Sequence, residues 1–87
     1  MMQCVKLYTK ANRGLCDKAY WILLDLTCDI PLRIDLVDIT RNHHTHLKYM
    51  ERIPVLAQPN STAELNWPFS VEDVKVYLDK PETQQGL

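Results

Sequence analysis

The apolar pattern of the chain predicts an α/β domain. Its expected core is a four-stranded mixed sheet with helices on both faces, in the order strand, helix, strand, helix, strand, strand, helix. Three observations carry this. Apolar and polar residues alternate from Cys4 to Thr9 and again from Leu32 to Val37, on either side of a strongly amphipathic helical stretch. A short apolar run opened by proline, Ile53 to Ala57, is followed by turn residues and a second strand-like arm. The chain has 87 residues, 46% hydrophobic and 24% charged, the size and balance of one soluble globular domain.

In the first strand Val5 and Leu7 point to one face, and Cys4, Lys6 and Tyr8 to the other. The stretch from Lys10 to Gly14 breaks the alternation, and Asn12 is placed to cap the helix that follows. Leu15, Ala19, Ile22, Leu23 and Leu26 form its apolar stripe, and Asp17 lies in the first turn, where the helix dipole favours a negative charge. Asp29-Ile30-Pro31 ends the helix. Leu32, Ile34 and Leu36 then alternate with Arg33, Asp35 and Val37, as in a half-buried strand near a sheet edge. A strand joined to the next strand through a helix forms a parallel pair with a right-handed crossover.

The polar segment from Asp38 to Glu51 suits a short surface helix held by Leu47 and Met50. Pro54 is tolerated where it opens the next strand. Gln58 to Thr62 is turn chemistry, and Ala63 to Asn66 pairs back as a hairpin arm. Trp67-Pro68-Phe69 stops that arm. Ser70, with Asp73 three residues on, starts a capping box for a last helix whose buried stripe is Val71, Val74 and Leu78, with Tyr77 beside it. One domain is expected over residues 1–80, with residues 81–87 a frayed tail.

Ten basic residues face eleven acidic ones, a balance that points away from nucleic acid, whose partners carry a basic excess. No apolar run approaches the roughly 20 residues of a membrane span. No signal peptide is expected at the start, so the working compartment is expected to be a reducing cytosol, where three cysteines are free thiols rather than a disulfide framework.

Five segments, in order, narrow the fold further. Leu7-Tyr8-Thr9-Lys10, Leu15-Cys16-Asp17, Val37-Asp38-Ile39, Arg52-Ile53-Pro54-Val55-Leu56 and Glu64-Leu65-Asn66-Trp67-Pro68-Phe69 together resemble the short bacterial glutaredoxin-like proteins of the thioredoxin-fold superfamily. The likeness runs to about Leu78. It implies a thioredoxin-like fold and, at the start of the first helix, a Cys-x-x-Cys pair whose first thiol attacks disulfides. Here that motif reads Arg13-Gly14-Leu15-Cys16. The resolving cysteine is kept and the attacking one is replaced by Arg13.

Cys16 therefore has two readings. One is a reactive thiolate in the first turn, favoured by the helix terminus and by Arg13, forming mixed disulfides with glutathione. The other is a relict thiol, partly buried and inert. By resemblance, Ile53-Pro54 is the cis-proline site, where a cis bond would free the Ile53 backbone to meet an extended peptide or glutathione. Lys10 matches the lysine that holds a glutathione carboxylate, and with Arg13 and Arg52 it would form an anion site. Trp67-Pro68 stands where many glutaredoxins have Gly-Gly.

Cys4 and Cys28 read as core thiols, and Trp67 and Phe69 as core or groove wall. His43, His44 and His46 form no preformed metal site, because only His43 and His46 share a helix face; no metal or resident cofactor is expected. Three functions from different classes follow: residual thiol chemistry at Cys16 in a redox-family protein, a non-enzymatic peptide- or protein-binding module on the same scaffold and, last, metal handling by the histidines without a preformed site.

Overall fold

Alternation along the first strand puts Val5 and Leu7 under one helical layer and Tyr8 under another. In a computed structural model, which describes residues 3–11, 14–59 and 61–79, this strand lies inside the sheet. The elements are β1 (Gln3–Thr9), α1 (Gly14–Leu26), β2 (Leu32–Asp38), a 3-10 turn (Ile39–Arg41), α2 (His43–Tyr49), β3 (Val55–Ala57), β4 (Glu64–Asn66) and α3 (Val71–Asp79). The strand order is β2-β1-β3-β4. β1 pairs in parallel with β2 from Gln3 opposite Leu32 to Thr9 opposite Asp38. β3 runs antiparallel to both β1 and β4, with Leu56 opposite Leu7 and Leu65.

Two apolar clusters sit against this sheet. The larger joins Val5, Leu7 and Leu56 to Ala19, Leu23 and Leu26 of α1 and to Val74, Tyr77 and Leu78 of α3, with Phe69 closing one end. Burying each of the large side chains contributes about 1.5–3 kcal/mol. The smaller cluster collects Cys16, Ile39, Tyr49, Ile53 and Val55, with Tyr8 packed on it.

Side chains close the helix ends as their types dictate. The Asp38 carboxylate accepts the Thr40 N–H at 2.9 Å and starts the 3-10 turn, and the Asn42 side chain accepts the Thr45 N–H at 3.0 Å and starts α2. At α3 the capping box is complete: the Ser70 N–H donates to Asp73 at 2.9 Å and the Asp73 N–H donates to the Ser70 hydroxyl at 3.2 Å. Asn12 and residues 81–87, for which a cap and a frayed tail are expected, lie outside the described residues.

Three expectations of burial are corrected. Leu15 is exposed, and the inner stripe of α1 is Cys16, Ala19, Leu23 and Leu26 instead. Leu47 and Met50 face outward on α2, because the cap at Asn42 sets a phase in which Thr45, His46 and Tyr49 turn inward. The large ring of Tyr49 and the buried Ile39 do the anchoring expected of Leu47 and Met50. Cys28, read as a core thiol, is exposed in the turn after α1, and Cys4 is half-buried.

Candidate functional site

The first turn of α1, the β3 entry and the end of β4 meet at one rim of the sheet. Leu15 from the first turn of α1, Glu51, Arg52 and Ile53 from the segment before β3, and Asn66 and Trp67 from the end of β4 line an open groove of about 500 Å³ there. The Ile53–Pro54 and Trp67–Pro68 peptide bonds beside it are both cis. The Trp67 N–H donates to the Pro54 carbonyl at 3.3 Å, which ties the two proline segments together. Trp67 is half-buried and meets Phe69 edge to face, with ring centroids 4.9 Å apart. Leu15, Ile53 and Trp67 give the groove an apolar wall; Glu51, Arg52 and Asn66 give it a polar one.

Arg52 is held in place rather than free. Its Nη2 donates to Glu64 Oε1 at 2.5 Å and to Asn66 Oδ1 at 3.1 Å. The other Glu64 oxygen accepts the Tyr49 hydroxyl at 2.5 Å. Tyr49 in turn stacks on Tyr8, with centroids 4.2 Å apart and planes 16° from parallel, and the Arg52 guanidinium lies 5.1 Å from the centre of the Tyr49 ring. Burial pulls the Glu64 carboxyl upward, but the hydrogen bonds from Tyr49 and Arg52 outweigh it and hold the group below its ordinary range. Burial, and then the hydrogen bond to Glu64, push the Tyr49 phenol well above its ordinary value. Glu64 therefore stays charged and Tyr49 stays protonated at neutral pH.

The Cys16 thiol is buried, at 4% exposure, among Ile39, Tyr49, Ile53 and Val55. It does not line the groove, although its neighbour Leu15 does. Ile53 and Pro54 are buried at the base of the same rim. The Ile53 N–H, expected to be free for a ligand, donates to the Tyr49 carbonyl at 3.2 Å as the chain leaves α2. Only the carbonyl of that residue remains to meet an extended ligand.

Of the cations expected to converge, Arg52 lines the groove and Lys10 does not. Lys10 is exposed just beyond β1. Its charge is felt instead at Asp38, whose carboxyl is lowered first by the hydroxyl and N–H of Thr40 and then, more weakly, by Arg41 and Lys10. Arg13 lies outside the described residues. His43 and His44 are exposed and His46 is half-buried; among the described residues no three His, Cys, Asp or Glu side chains gather as a metal ion would need.

A helix opening beside a cis-proline loop, over a central strand flanked by one parallel and one antiparallel neighbour, is decided by comparison with known proteins. The family described as Glutaredoxin-like domain (DUF836) matches residues 4–79. The chain belongs to this glutaredoxin-like family. Among solved structures it is similar to the Northeast Structural Genomics target protein XcR50 from X. campestris. The X-ray structure of that protein matches with a TM-score of 0.77 and 29% identity, over 88% of this chain and 99% of the other. The solution structure of the same protein matches with a TM-score of 0.73 and 29% identity, over 90% and 96% of the two chains. No curated protein matches. The glutaredoxin-like chain thus has a thioredoxin-like fold, and no helix among its described residues is long and apolar enough to cross a membrane.

Sequence reasoning missed five residues of this rim: Leu15, Glu51 and Asn66 as groove wall, and Tyr49 and Glu64 as the groups that, with Asn66, fix Arg52. For Leu15 a signal existed, since it lies one residue before the motif cysteine. For Tyr49 and Glu64 there was none, because their pairing joins α2 to β4 across the sheet.

Proposed function

We propose that this glutaredoxin-like, redox-family domain works as a binding module, taking an extended peptide or the glutathione tripeptide in the groove beside Ile53 and Trp67. One observation carries the reading: Arg52 spends only its Nη2 on Glu64 and Asn66, so Nε and Nη1 remain for a ligand on a guanidinium that is already held still. A preorganised fork of that kind suits a carboxylate, and little side-chain entropy is left to lose on binding. Glu51 beside it supplies the opposite charge, so the polar wall suits a zwitterion such as glutathione or a peptide terminus. Leu15 and Trp67 offer apolar contact on the other wall.

The test is a titration of isotope-labelled protein with reduced glutathione and, separately, with a short acidic peptide. Saturating shifts at the amides of Leu15, Ile53 and Trp67, weakened in Arg52→Gln, are expected. Shifts that never saturate with either ligand would sink the proposal.

Membership of the glutaredoxin-like family favours a second reading, thiol chemistry at Cys16. The Cys16 thiol would give up its proton, attack one sulfur of oxidised glutathione, form a mixed disulfide and release one reduced glutathione. Burial of the thiol works against that step. Peptide mapping after exposure to oxidised glutathione separates the two. Rapid addition at Cys16 supports chemistry; no addition there, together with saturable glutathione binding, supports the binding module.

A further inference from the structure

A second recess lies on the α2 side of the sheet, with Glu64 in its lining. It holds about 270 Å³ and is bounded by Lys6 of β1, Lys48 and Tyr49 at the end of α2, and Ser61 and Thr62 of the β3–β4 turn. From these residues we propose a second binding site, for the oxyanion group of a small ligand, a carboxylate or a phosphate, held between Lys6 and Lys48. The proposal does not rest on the groove reading, because neither lysine lines the groove.

Charge comes first. Two lysines face a single carboxylate, Glu64, and that carboxylate is already committed: one oxygen accepts the Tyr49 hydroxyl and the other accepts Arg52. Neither Lys6 nor Lys48 forms an ion pair among the described residues. Lys48 instead rests over the Tyr49 ring, 5.2 Å from its centre. Glu64 offsets one of the two lysines and Asp35, opposite Lys6 on β2, is engaged by Arg33, so the recess keeps a cationic surplus, and its partly enclosed walls weaken solvent screening there.

Hydrogen-bonding capacity is the second point. The Ser61 oxygen accepts the Ala63 N–H at 3.1 Å, which leaves the Ser61 hydroxyl proton to donate. The Thr62 hydroxyl and the Lys6 and Lys48 ammonium groups add further donors on the same recess. Donors from three separate elements around one carboxylate that is already satisfied suit an incoming acceptor with several oxygens.

The experiment uses the full-length chain, isotope-labelled and titrated with sodium phosphate and separately with sodium acetate, at neutral pH and fixed ionic strength so that screening stays constant. For at least one anion, saturating shifts are expected at the amides of Lys6, Lys48, Ser61 and Thr62, with those of Leu15 and Trp67 unmoved. Saturation with phosphate alone identifies a phosphoryl ligand, and saturation with acetate identifies a carboxylate. Lys48→Gln, at an exposed position, and Lys6→Gln should each weaken binding roughly tenfold, as the loss of one charge-assisted hydrogen bond does, without moving the melting temperature. Shifts that rise linearly with both salts, or saturation that is unchanged in Lys48→Gln, would overturn the site.

Discussion

Tyr49 is the residue on which most depends. Its ring fills the smaller cluster, its hydroxyl fixes Glu64, and through Glu64 it holds Arg52 at the groove rim. Tyr49→Phe keeps the ring and removes the donor, so a stability loss of about 1 kcal/mol is expected in denaturant unfolding. A larger fractional loss is expected in ligand binding at the groove, because Arg52 is loosened. Glu64 makes the fold sensitive to acid. Its carboxyl is lowered in the native state, so the native protein takes up that proton less readily than the unfolded chain does. The stability it contributes is therefore present above the unfolded value and drains away as pH falls through the native one. Melting temperatures measured from about pH 5 to about pH 3, across the ordinary glutamate range, should fall less steeply in Glu64→Gln than in the parent.

The cysteines make an equally direct prediction. Cys28 is exposed, Cys4 half-buried and Cys16 buried. A thiol reagent added to the native reduced protein should therefore label them in that order, with Cys16 reacting at a rate that rises when mild denaturant opens the fold. Equal rates at all three would mean that the first turn of α1 opens freely. That Ile53, Pro54 and Cys16 lie near one rim was an implication of the family resemblance, which five short segments carry together. The coupling of Tyr49, Glu64 and Arg52 was not, because a contact between distant segments leaves no periodic trace in a sequence.

At the scale of elements, legibility followed length and periodicity. β1, α1 and α3 carry several turns or alternations each, and their inner faces were readable from spacing alone apart from Leu15. α2 has seven residues, and in so short a helix Leu47 and Met50 make as good a stripe as Tyr49 does. The difference is settled by the Asn42 cap and by the Tyr8 ring across the gap, neither of which is periodic. The capping box at α3 offers a clean test. Ser70→Ala removes the acceptor for the Asp73 N–H and should cost about 1 kcal/mol, measured as a shift in the denaturant midpoint with an unchanged slope. Leu47→Ser, by contrast, should be nearly neutral because that side chain already faces solvent.

For the whole molecule, the strand order matters more than any single contact. β1 is paired along both edges and backed by apolar side chains on each face, whereas β2 and β4 each have one open edge. Amide hydrogen exchange should therefore be slowest at Val5 and Leu7, and faster by orders of magnitude at the unpaired edges of β2 and β4. Comparable protection across all four strands would imply that the open edges are covered in solution. The parallel pairing of β1 with β2 was legible because a helix separates them. That β2 lies at a sheet edge was legible in its own alternation of Leu32, Ile34 and Leu36 with polar neighbours; that β1 is the strand paired on both sides came with the resemblance to a known family.

The central position of β1 also shapes how the chain is made. A ribosome releases this strand before either of its neighbours, yet β1 cannot complete its ladder until Ala57 has been synthesised. During that interval Val5 and Leu7 have only α1, and then β2, to shelter against, while the face that Tyr8 will share with Tyr49 stays open. Nascent chains halted before β3 should therefore bind hydrophobic-surface chaperones, and those extended past β4 and α3 should not.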